Sequence, residues 1–137
     1  MAKVLFTAGA IGIRQLVDSR CFYCGGRMHD ADVDHFVPFS LYPRDLIHNF
    51  VLAHPACNRS KSDTLAALAH VENWRAYIDR HDHDLREIAR TVGRPADLAG
   101  SLAVARWGYG NALSGGAQAW LRSAQYTPVT REYLAAL

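Results

Sequence analysis

Apolar positions in the second half of the chain recur at helical spacing. Ala67, Val71, Trp74 and Ile78 follow one another at intervals of four, three and four, which predicts a helix from about Asp63 to His81. Leu85, Ile88, Ala89 and Val92 predict a second from about Asp84 to Val92, broken by Gly93 and Pro95. Asp97 is placed to cap a third, with Leu98, Leu102, Ala105 and Tyr109 turned inward. After the Ser114-Gly115-Gly116 turn, Ala117, Trp120, Leu121 and Ala124 predict a fourth helix, and Thr130 opens a short last one ending at Leu137. These Trp and Leu stripes read as core rather than as a ligand box. In the first half the pattern is different. A helix carries Ala10, Ile13, Leu16 and Val17 on one side, and the short β-like runs lie between it and residue 64.

Two other readings of the N-terminal stretch fail on the residues. Lys3 and the apolar run Val4 to Ile13 resemble a signal peptide, but there is no small-x-small cleavage site and Arg14 continues into the helix. Gly9 and Gly12 suggest a nucleotide loop, but they supply only part of the glycine pattern and no acidic residue ends a second strand.

The length, 137 residues, suits one domain. A half-apolar composition with one-fifth charged residues excludes a disordered chain. The absence of a long apolar run argues against a membrane span. A net charge of +2 is too small to argue for nucleic acid by itself, and of the 15 Lys and Arg residues only Lys3 and Lys61 are lysines. Three cysteines cannot form a paired disulfide framework, which points to a reducing, cytoplasmic compartment and a metal site.

Cys21-Phe22-Tyr23-Cys24 is followed by Gly25-Gly26, and further on comes His54-Pro55-Ala56-Cys57. A two-residue gap lets a tight turn aim both ligands at one ion, and a following glycine permits the positive φ of such a turn. Cys21, Cys24, His54 and Cys57 together make a tetrahedral zinc set, with His29 as the substitute fourth ligand. A redox dithiol at Cys21 and Cys24 would want a βαβ context and would leave Cys57 unexplained. Four protein ligands close the coordination sphere, so this zinc is expected to hold the fold and not to react.

Between and after these half-sites lie Asp34-His35 with Pro38, then Asn49 before a short apolar strand, then Asn58-Arg59-Ser60-Lys61 after the last cysteine. In order and spacing, residues 20–64 resemble the HNH endonucleases, the ββα-metal nucleases, in a zinc-knuckle variant. His54 departs from the pattern, standing where many relatives carry cysteine. The resemblance implies a two-stranded hairpin packed on a helix with one divalent ion between them. It implies His35 as the general base, Asp34 and Asn58 as ligands of the catalytic ion, and Asn49 as the brace that orients His35. It also implies DNA as substrate, with 5′-phosphate and 3′-hydroxyl products.

Elementary chemistry is consistent with those roles. An imidazole is largely neutral at pH 7 and accepts a proton from water. A carboxylate and an amide oxygen are hard ligands suited to Mg²⁺ or Mn²⁺, leaving positions for water and phosphate. Asn58 and Lys61 share a helix face, so Lys61 or Arg59 is placed to meet a phosphate. Arg44 and Asp45 either touch DNA or pair with each other. Because neighbours on a strand face opposite ways, Asp34 and His35 are expected at a strand end. Read singly, Asp34-His35 is a surface pair and Asn58 a helix cap.

The expected fold class is α+β: a zinc-stapled ββα-metal core within residues 1–63, followed by a mainly helical extension, 64–137, packed as part of the same domain. The competing functions are a zinc-stabilised nucleic-acid-binding module without cleavage, and a helical interaction protein, which leaves room for a homo-oligomer, a preceding domain or a companion chain.

Overall fold

The computed structural model describes residues 2–137, with side chains from residue 9 onward, so the side chains of Lys3 and of the start of the signal-like run lie outside the described residues. The fold is mixed α+β and about half helical. Helix α1 spans Ala2–Leu16, and neither a strand nor a nucleotide loop interrupts it. A hairpin follows, with β1 (Asp32–His35) antiparallel to β2 (Phe50–Ala53) in the register Asp32 to Ala53 and His35 to Phe50. A 3₁₀ turn at Ile47–Asn49 leads into β2, and α2 (Pro55–Lys61) follows directly behind it, with Pro55 in the first turn. Then come α3 (Leu68–Val92), α4 (Leu98–Ser114), a second hairpin of β3 (Gln118–Arg122) and β4 (Gln125–Pro128), and α5 (Arg131–Ala136).

Two elements differ from the sequence expectation. The helices predicted over 63–81 and 84–92 are one helix, α3, because the His81-Asp82-His83-Asp84 run holds no Gly or Pro to interrupt it. Its start moves to Leu68, because Leu65 to Ala67 is extended and bridges to Trp120. The fourth predicted helix is the β3–β4 hairpin, turned at Ala124 with φ +58°. Trp120, Tyr126 and Thr127 favour strands, and a segment this short has no long helical stripe to resist pairing. The capped α4 forms as expected, with Gly100 N–H donating to Asp97 Oδ1 at 2.8 Å.

The core joins both halves. Ile13 of α1 is buried, and α1 lies against α3. Gly12 permits that approach, since a Cβ there would stand 2.9 Å from Ile88 Cγ1. Trp74 stacks on Phe36 of the first half of the chain with ring centroids 4.8 Å apart. Its indole N–H donates to the His48 carbonyl at 2.9 Å. Tyr109 of α4 donates to the Ala66 carbonyl at 2.6 Å. Burying each large apolar side chain in this core contributes about 1.5–3 kcal/mol. No helix among the described residues is long and apolar enough to cross a membrane.

Candidate functional site

The loop from Cys21 to Gly26 is a knuckle. Gly25 N–H donates to the Cys21 carbonyl at 2.9 Å, and Gly25 itself adopts φ +74°, a conformation open to glycine. Cys24 and His54 meet across it, Sγ to Nδ1 3.2 Å. The ligand atoms of Cys21, Cys24, His54 and Cys57 all lie within 4.8 Å of one another. A zinc ion about 2.3 Å from each sulfur would separate them by about 3.8 Å, so the set fits tetrahedral zinc. The other ring nitrogen of His54 donates to the Arg27 carbonyl at 3.0 Å, which fixes the tautomer with Nδ1 toward the thiols. The cluster contains His54 and not His29, which is exposed and offers its carbonyl to Arg14 at 2.9 Å.

The thiols are electrostatically unequal. Burial would raise Cys21, but the backbone N–H groups of Cys24, His54 and Tyr23 outweigh it and bring the thiol down to about 7. Burial, and then the charge of Cys21, push Cys57 up to about 12. Three converging sulfurs repel one another as thiolates, and a cation among them would relieve that repulsion.

Beside the knuckle, β1 presents Asp34 and His35 to different partners. Asp34 is buried. Its Oδ2 accepts from the Tyr23 hydroxyl and lies 3.2 Å from Lys61 Nζ. Lys61 also donates to the His35 carbonyl at 3.2 Å and is fully buried. Sequence reasoning turns Lys61 toward a phosphate; the structure turns it inward, where burial lowers its pKa and Asp34 partly restores it. Burial, then the Asp34 charge, holds the Tyr23 hydroxyl well above its ordinary value, so it stays protonated and donates. Tyr23 was not singled out from the sequence; its only signal was its place inside the Cys21–Cys24 pair.

His35 closes β1. Its Nε2 is 2.8 Å from Asp45 Oδ1, and Asp45 Oδ2 is 3.0 Å from Arg94 Nη1. Asp45 therefore pairs with His35 and Arg94, while its neighbour Arg44 is exposed. Phe39 and Phe50 flank the imidazole, each with its ring centroid 5.2 Å away. Asn49 is nearly buried and clamps the segment after β1, accepting from Val37 N–H at 2.8 Å and donating to the Val37 carbonyl at 2.9 Å. Asn58 of α2 turns back to the strand and donates to Asp32 Oδ2 at 3.1 Å. Asn58 does not cap a helix, since it lies inside α2. Arg59, beside it, is exposed.

Asp32, Asp34 and Asn58 are oxygen donors of the kind a hard divalent ion takes, along the seam of β1 and α2. Asp34 already meets an ammonium and Asn58 already meets Asp32, so a catalytic cation would have to share these groups with Lys61 and Asp32. The chemistry of the donors fits such an ion; their present pairing serves other partners.

Residues 5–67 match the family model of the HNH endonucleases. This stretch, just under half of the chain, is similar to the HNH endonucleases. The match supports a nuclease-type function for this segment, with a nucleic-acid substrate and metal binding. No curated protein and no solved structure matches the chain. Arg94, Asp82 and Trp74, which reach back to His35 and its loop, all lie beyond the matched residues.

Proposed function

We propose that the HNH segment is a metal-dependent endonuclease that hydrolyses DNA phosphodiester bonds. The reading places His35 as general base, Asp34 and Asn58 as ligands of Mg²⁺ or Mn²⁺, and Cys21, Cys24, His54 and Cys57 around a structural zinc. The observation that carries it is the hydrogen bond from Asn58 on α2 to Asp32 on β1, 3.1 Å long, which ties the helix to the strand that ends in His35. Residues 64–137 act as part of the same domain, since one apolar cluster runs through both halves.

His35 takes a proton from a water molecule, and that oxygen attacks phosphorus. The bond from phosphorus to the 3′-oxygen breaks, and the departing oxygen acquires a proton from solvent, leaving 5′-phosphate and 3′-hydroxyl ends. A divalent ion held by Asp34 and Asn58 would supply positive charge to the phosphate and to the leaving group. Asn49 keeps the segment behind His35 from shifting, because its side chain holds both polar groups of Val37. Arg59 and Arg44, both exposed, are placed to hold neighbouring phosphates.

A supercoiled plasmid incubated with the zinc-loaded protein tests this. Nicking should require added Mg²⁺ or Mn²⁺ and fall by about 100-fold or more in His35→Ala, with zinc content and melting temperature retained. Cleavage by that variant at the wild-type rate would remove His35 from the mechanism.

The second reading is a zinc-stabilised nucleic-acid-binding module without cleavage. It is favoured by the Lys61–Asp34 pair at 3.2 Å, which neutralises the carboxylate with no divalent ion. Salt-sensitive retardation of DNA without strand breaks would be its result.

A further inference from the structure

We infer that Asp45, held by Arg94, is a positioning residue for His35: it accepts the Nε2 proton, fixes the Nε2–H tautomer and so presents Nδ1 as the basic atom of the imidazole. This rests on His35 being the general base, and it assigns part of the catalytic apparatus to the half of the chain outside the family match.

An ionised carboxylate only accepts, so a neutral imidazole with Nε2 at 2.8 Å from Asp45 Oδ1 must carry its proton on that nitrogen. The lone pair then belongs to Nδ1. Asp45 cannot rotate away, because its second oxygen accepts from Arg94 Nη1 at 3.0 Å. All three side chains are shielded, at 20% exposed for His35, 23% for Asp45 and 11% for Arg94, so solvent competes weakly for these bonds. Phe39 and Phe50 restrict the tilt of the ring.

The loop carrying Asp45 is fixed from the same side. Ile47 N–H donates to the Pro95 carbonyl at 3.1 Å, one residue beyond Arg94. Fully buried His48 donates from Nε2 to Asp82 Oδ1 at 2.8 Å, and Trp74 holds the His48 carbonyl at 2.9 Å. Four residues from α3 and the turn after it thus grip the loop that orients His35. An ordinary surface ion pair would need none of this scaffolding.

Asp45→Asn separates positioning from mere support. Arg94 should claim the amide oxygen, which turns the amide N–H toward Nε2 and forces the imidazole into the Nδ1–H tautomer. Nitrogen-15 NMR of the histidines in the zinc-loaded full chain should show His35 protonated at Nε2 in wild type and at Nδ1 in the variant. With plasmid substrate, kcat should fall by about 10-fold or more at unchanged KM. Arg94→Gln should produce a smaller fall, and the double variant should match Asp45→Asn alone, because the two residues act through one contact. An unaltered His35 tautomer in Asp45→Asn, or wild-type kcat, would overturn the inference while leaving the nuclease reading intact. If wild type itself does not cleave, the nuclease reading falls and the tautomer measurement alone decides the positioning. Should Asp45→Asn lose zinc or unfold, Arg94→Gln carries the same two readouts, and an unchanged tautomer with unchanged kcat there would equally overturn it.

Discussion

Lys61 Nζ sits 3.2 Å from the Asp34 carboxylate with its side chain wholly inside the protein. A buried charge pair of this kind is weak evidence of net stabilisation, but breaking it from one side strands a charge.

Lys61→Met should therefore lose about 3–5 kcal/mol of stability in denaturant titration. Adding Asp34→Asn should recover a large part of that loss, because the uncompensated carboxylate is then gone. A double variant as unstable as the sum of the two single ones would mean that the pair is not the source.

Asn49→Ala removes both bonds to Val37 and leaves a buried backbone N–H and carbonyl without partners. The expected cost is about 2–3 kcal/mol by chemical unfolding. Plasmid nicking should fall further than occupancy of the folded state explains, since the segment behind His35 is then loose. Equal loss in stability and nicking would reduce Asn49 to a structural residue.

The knuckle can be tested through a residue that ligates nothing. A Cβ at position 26 would lie 3.2 Å from His54 Cε1 and 3.4 Å from Cys24 Sγ. Gly26→Ala should therefore weaken zinc retention by roughly 10-fold in competition with a chelator, a scale typical of disturbed ligand support. Wild type should hold one zinc per chain and unfold when it is stripped. Full stability in the presence of excess chelator would contradict a stapling role.

His70 gives a pH prediction. It donates from Nε2 to the Leu121 carbonyl at 2.7 Å and stacks on Trp120. Burial foremost, then the charges of Lys61 and Arg122, hold its pKa below the ordinary 6.5 despite the bond to Leu121. As pH falls below 6.5 the unfolded chain takes up a proton there that the folded chain refuses, so stability must fall with it. His70→Gln should flatten the decline of melting temperature on that acidic side, and an unchanged slope would refute the assignment.

Helices α1 and α4 were legible because each shows an uninterrupted apolar stripe and, for α4, a capping Asp97. The clustering of Cys21, Cys24, His54 and Cys57 was legible because each of the two pairs has a local two-residue gap. The β3–β4 hairpin was not, since Ala117, Trp120, Leu121 and Ala124 satisfy a helical period as well as a strand does over so few residues. Asp45 was hidden for another reason. Its sequence neighbour Arg44 offered an obvious partner, whereas its actual one, Arg94, is 49 residues away. Lys61 misled because its spacing from Asn58 suggests a common face but says nothing about which face points into the protein.

The bridge at Trp120 bears on any attempt to make a minimal version of this protein. Trp120 N–H donates to the Leu65 carbonyl at 2.8 Å, Ala67 N–H donates back at 2.7 Å, and the indole reaches Ser60 on α2 at 2.9 Å. A fragment trimmed to the matched stretch would bare the greasy underside of that helix and leave Ser60 and Leu65 reaching for water. The distant hairpin is thus a shutter over the back of the HNH-like segment, and a compact version built from this scaffold would need to keep it.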